Sequence, residues 1–131
     1  MEVVIWRETL AQSPKPDFTV SDEDKLSIAS HVVPAMMQTF RAMSSDRVAT
    51  ADDLIDTLSL CIASLLENDT HITTPKHTKD AMRSIETFVR RWARRLRDER
   101  PSTDGPSFLM RSIEQYQAEL AEVEAQAGGQ S

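Results

Sequence analysis

Seven arginines crowd the stretch from Thr74 to Arg100: Arg83, Arg90, Arg91, Arg94, Arg95, Arg97 and Arg100. A guanidinium is always charged, and its planar fork of N–H donors matches a carboxylate or a phosphate. The chemistry such a cluster offers is recognition of acidic groups. Little else in the chain could do chemistry. His71 and His77 lie near Asp69, but the five residues between the two histidines match no helical metal-ligand pair, and Cys61 stands a helix away. The serines include none in a Gly-x-Ser-x-Gly elbow, and no nucleophile, base and orienting group can be read together. Paired acids such as Asp52-Asp53 are explained by helix capping. No catalytic set, metal site or cofactor is therefore expected, and the chain reads as non-enzymatic.

The arginines sit on a segment with helical periodicity. Ala81, Ile85, Phe88, Val89, Trp92 and Leu96 fall on one face at 100° per residue. Arg83, Arg90, Arg94 and Arg97 fall opposite, while Arg91 and Arg95 occupy a flank. Thr74 is an N-cap, and Pro75 at the first helical position loses no hydrogen bond there. The helix should stop at Arg100-Pro101. Glu86 precedes Arg90 by four residues, and Asp98 and Glu99 follow Arg94 and Arg95 by four, so internal pairing competes with an outside partner. The acidic last helix, with Glu114, Glu119, Glu122 and Glu124, could also neutralise Arg91 and Arg95.

Three more helices are readable. Ser21 caps the first, with Asp22, Glu23 and Asp24 in its opening turn, where the helix dipole favours negative charge. Its apolar seam is Leu26, Ala29, Val33, Met36, Phe40 and Met43. Pro34 lies within it, removing a bond to the Ser30 carbonyl, so a kink is expected. Thr50 caps the second helix, whose wide stripe is Leu54, Ile55, Leu58, Cys61, Ile62, Leu65 and Leu66. Pro101–Pro106 forms a turn, and the last helix carries Leu109, Ile113, Tyr116, Leu120 and Val123. Ser13-Pro14-Lys15-Pro16-Asp17 reads as an extended linker behind Val3–Leu10, a run too short to assign as strand or helix.

Composition excludes several classes. Of three glycines, Gly128 and Gly129 lie in the last four residues, which argues against turn-rich β folds and phosphate-cradling loops. One cysteine permits no intrachain disulfide, and the start lacks the basic region of a secretory signal. No run approaches the length of a membrane span. A reduced, cytoplasmic, soluble protein is expected. The net charge of −6 is uneven: Lys76–Arg100 holds nine Lys/Arg against four Asp/Glu, a net +5, leaving −11 elsewhere. An acidic chain with no aromatic residue interleaved on its basic face departs from the usual nucleic-acid binder.

Together these features predict an all-α fold, a compact bundle of about four helices within a single domain. Residues 1–20 form the N-terminal segment and linker, 21–126 the bundle and 127–131 a frayed tail. The expected function is regulation by binding another protein, as adaptor, antiactivator or inhibitor, from a homodimer. The expected partner surface comprises Arg83, Arg90, Arg91, Arg94, Arg95 and Arg97, with Trp6, Met37 and Tyr116 as apolar residues left over from the seams. Met36 and Met37 point about 100° apart, so one of them should reach a groove edge or an oligomer contact. The alternative is a nucleic-acid binder that sets the arginine face against phosphates.

Overall fold

The computed structural model describes residues 17–44 and 46–129. They form four helices in the order α1 (Asp22–Met43), α2 (Ala51–Asn68), α3 (Pro75–Glu99) and α4 (Phe108–Gly129), with no strand among the described residues. The all-α expectation holds. Trp6, the Val3–Leu10 run and the prolines of the linker lie outside the described residues.

All four starts rest on a side-chain hydroxyl that accepts from a backbone N–H two or three residues into the helix. Ser21 Oγ accepts from Asp24 at 3.1 Å, Thr50 Oγ1 from Asp53 at 3.1 Å, Thr74 Oγ1 from His77 at 3.1 Å and Ser107 Oγ from Met110 at 3.1 Å. At α2 the cap is reciprocal, because the Thr50 N–H donates back to Asp53 Oδ2 at 3.0 Å. Pro34 withholds one N–H from the α1 ladder where the kink was expected, and the helix continues past it to Met43 without a break. α4 also runs further than its composition suggests, through Ala127 and Gly128 to Gly129.

The helices belong to two compact units. The first takes the described residues up to Thr19 together with Ile55–Arg95; the second takes Val20–Leu54 and Leu96–Ser131. In the first unit the buried apolar side chains are Leu66 of α2 and Ala81 of α3. The α2–α3 turn is organised by Asp69, whose side chain is only 2% exposed and accepts from the His71 N–H at 2.9 Å. His77 Nδ1 accepts from the Thr73 N–H at 3.2 Å. The two histidines therefore shape this turn.

In the second unit α1 and α4 pack as an antiparallel pair, since His31 meets Glu119 while Gln38 meets Tyr116. Pro34 and Ser112 are buried here. The Ser112 hydroxyl turns back to the Phe108 carbonyl at 2.7 Å, which satisfies it inside its own helix. Before α4, Arg100 closes the turn by donating from Nε and Nη2 to the Gly105 carbonyl, at 3.0 and 2.8 Å.

The sequence seams are only partly covered. On α1, Leu26, Val33, Met36 and Phe40 are half-buried, but Ala29 and Met43 are exposed. Val89, expected on the buried face of α3, is 59% exposed because it lies at the edge of that stripe. On α4, Ile113, Tyr116 and Leu120 are half-buried whereas Leu109 and Val123, at the two ends, are exposed.

The capping geometry predicts that Thr50→Ala and Thr74→Ala each lower stability by about 1 kcal/mol, read from thermal or denaturant unfolding followed by circular dichroism. The hydrogen bonds from Thr50 hold the Asp53 carboxyl below its ordinary value of 3.8. That contribution is present above the ordinary value and is lost as pH falls through the lowered one. Asp53→Asn should remove this limb of the acid unfolding profile.

Candidate partner-binding surfaces

Most of the basic surface belongs to the first unit. Arg83, Arg90 and Arg94 are exposed, and Arg97, also exposed, follows Arg94 by three residues along α3. At 1.5 Å per residue the part of the row within the first unit, from Arg83 to Arg94, is roughly 17 Å long. Its members differ in what already holds them. Arg90 Nη2 is paired with Glu86 Oε1, and Arg83 approaches Asp80 Oδ1 loosely at 3.8 Å. Arg94 and Arg97 make no ion pair among the described residues. The contrast follows from order along the helix. An acid four residues before a base is the favourable orientation, as in Glu86–Arg90, whereas Asp98 comes four residues after Arg94.

Arg91 and Arg95 leave the ridge. The Arg91 guanidinium lies 4.5 Å from the centroid of Trp92 and 5.4 Å from that of Phe18, and Arg95 lies 5.7 Å from Trp92. A cation over an aromatic face is attracted by the ring quadrupole while its stem covers apolar surface. Phe18 in turn meets Phe88 edge-on, with centroids 5.4 Å apart. Trp92, expected as a core residue, is half-buried beneath these two arginines. They lie on the flank where their spacing sets them, and there their guanidiniums rest on aromatic rings.

The second unit holds a cleft of about 160 Å³ between α1 and α4. Pro34, Met37, Ile113 and Leu120 supply its apolar lining, and Gln38, Arg41, Tyr116 and Gln117 its polar part. Met37 and Tyr116, singled out separately from the sequence, meet in this one cleft. The Tyr116 hydroxyl donates to Gln38 Oε1 at 2.6 Å, and Arg41 makes no ion pair among the described residues. The cleft is smaller than most small-molecule sites and matches one large apolar side chain of a partner. Sequence reasoning missed Gln38, Arg41 and Gln117. Their one signal is that Gln38 and Arg41 follow Pro34 and Met37 at spacings of four, on a face other than the recognised seam.

Beside the cleft, His31 joins the helices. Its Nδ1 is 2.9 Å from the Ser27 carbonyl and its Nε2 is 3.0 Å from Glu119 Oε2. A neutral imidazole has one N–H and can serve only one of these acceptors; the protonated ring serves both. The bond to Ser27 and then the carboxylate of Glu119 accordingly raise the His31 pKa above its ordinary 6.5.

Among the described residues no three His, Cys, Asp or Glu side chains gather as a metal site, and no helix is long and apolar enough to cross a membrane. Compared with protein-family models, with curated proteins and with solved structures, the chain matches none.

An NMR titration of His31 should give a midpoint above 6.5, which Glu119→Gln lowers. Because the folded pKa is raised, the stabilisation is full below the ordinary value and is lost as pH rises through the raised one. An unshifted midpoint in the unmodified protein would contradict the bridging geometry.

Proposed function

We propose that this chain acts without catalysis, as a small cytoplasmic regulator of the adaptor, antiactivator or inhibitor kind that binds another protein, and does so as a homodimer. The observation that carries this reading is the mismatch between apolar content and apolar burial. Apart from Pro34, the buried apolar residues among those described are Leu66 and Ala81. Among the described residues fourteen large apolar side chains are exposed, including Ile28 at 60%, Leu60 at 69% and Val123 at 61%. Side chains left in water at helical spacing are the raw material of interfaces. The ridge adds selectivity: Arg83, Arg94 and Arg97 offer forked donors to carboxylates, and arginine is enriched at protein interfaces. The fitting partner is a protein with an acidic helical face.

One observation favours the nucleic-acid reading: Arg94 and Arg97 are uncommitted and could meet phosphates. Against it, Trp92, which could stack on a base, lies under Arg91 and Arg95, away from the ridge.

Two measurements test the proposal. Light scattering at micromolar concentration should give twice the 14.8 kDa chain mass, and a single-chain mass would remove the homodimer. In affinity capture from the native host, a protein identified by mass spectrometry should be retained by the unmodified chain. The Arg90→Ala, Arg94→Ala, Arg97→Ala variant, still helical by circular dichroism, should lose it. Micromolar binding of labelled duplex or single-stranded oligonucleotide that falls steeply with salt, with a flattened slope in that variant, would instead establish the rival.

A further inference from the structure

We infer that the cleft between α1 and α4 receives the C-terminal residue of a partner protein, its apolar side chain against Met37 and Leu120 and its free carboxylate on Arg41. This rests on the protein-binding reading above and names the part of the partner that the cleft takes.

Two chemistries meet within this one cavity of about 160 Å³. Pro34 is buried and Met37, Ile113 and Leu120 are half-buried, so part of the wall is apolar and largely shielded from water. The rest offers hydrogen-bond donors. Arg41 lines the cleft, is exposed and makes no ion pair among the described residues. Gln38 Oε1 accepts from the Tyr116 hydroxyl at 2.6 Å, which leaves both amide hydrogens of Gln38 to donate. Gln117 adds a second amide, with one accepting and one donating end. No carboxylate lines the cleft. Of the nearby acids, Glu119 takes His31 and Asp46 takes the Ser44 hydroxyl. Glu114 stands about 110° around α4 from the middle of the lining.

These groups select the occupant. A guanidinium carries one charge, and its fork matches the two oxygens of a carboxylate, whereas a phosphate monoester would set nearly two charges against one. The apolar wall and Arg41 share one small cavity, so carboxylate and apolar side chain must come from a single residue. Aspartate and glutamate carry the charge without a separate apolar group. The last residue of a chain carries both on one Cα. A free amino acid would also bring an ammonium, and the lining holds no carboxylate to receive it. At a chain end that nitrogen is an amide, whose single N–H the Gln117 side-chain carbonyl is suited to accept. A terminal residue of about ten heavy atoms should bind with a dissociation constant on the order of 0.1–1 mM.

The experiment is an NMR titration of the full chain, labelled at its isoleucine, leucine and methionine methyl groups. The probes are an acetylated serine-glycine-leucine peptide with a free carboxylate, the same peptide as its C-terminal amide, 4-methylpentanoate and free leucine. The acid peptide should shift the Met37, Ile113 and Leu120 methyls saturably, and the amide should bind at least tenfold more weakly. Arg41→Gln, still helical by circular dichroism, should weaken the acid peptide at least tenfold and leave the amide unchanged. That pattern separates the carboxylate–guanidinium contact from any change in packing. 4-Methylpentanoate and leucine should each bind more weakly than the acid peptide, and equal or tighter binding of either overturns the chain terminus as occupant. Acid and amide binding alike, an Arg41→Gln variant with undiminished affinity for the acid, or methyls unmoved at about 10 mM peptide overturns the cleft assignment. With a host protein still captured by the unmodified chain, that result leaves the protein-binding reading standing; with none captured, both fall.

Discussion

An isolated helix in water gains little from its own hydrogen bonds; it persists when one face is covered and its ends are satisfied. In this chain the second condition is met more fully than the first. Each of the four helices starts on a serine or threonine that accepts a backbone N–H, so the starts are fixed locally. Coverage is thin by comparison. Among the described residues Leu66 and Ala81 are the buried apolar side chains beside Pro34, while α1 and α4 bury only the middle of their shared face. The expectation that this molecule works through contact with other surfaces follows from that imbalance.

Electrostatics sorts the rest. One helix holds a net +4 within an acidic chain, and its arginines divide by what lies beneath them. Where Trp92 and Phe18 are within reach, Arg91 and Arg95 lie over the rings and serve packing. Where the helix turns away from the rings, the guanidiniums stay in solvent. The order of charges along α3 then decides which of those remain open: Glu86 precedes Arg90 and holds it, whereas Asp98 follows Arg94 and does not.

What was legible in the sequence was what local chemistry decides. Ser21, Thr50 and Thr74 announced three helix starts, and Pro75 and Pro101 bounded α3, because caps and prolines act within a few residues. Ser107 carries the same signal at α4, less plain in the sequence because it directly follows the Pro101–Pro106 turn. Which face of a helix is covered is a different matter, since it depends on neighbours distant in sequence. The Leu26–Met43 seam of α1 was plain, yet α4 meets the face bearing Pro34, Met37 and Gln38. Met37 was marked because it points away from Met36, and that angular argument led to the cleft. The place of Arg91 and Arg95 to one side of the ridge was legible from their spacing, but their seats over Trp92 and Phe18 were not, because a helical wheel gives direction but not the reach of a long side chain over a neighbouring ring.

Arg100 ends the basic run and takes no part in the ridge. Its Nε and Nη2 converge on one carbonyl five residues downstream, so a side chain sets the course by which the backbone enters α4. Two parallel donors hold orientation as well as distance, which a flexible ammonium cannot do. At this position shape and charge come apart: lysine would preserve the electrostatic field of the molecule while releasing the tether that aims its final segment.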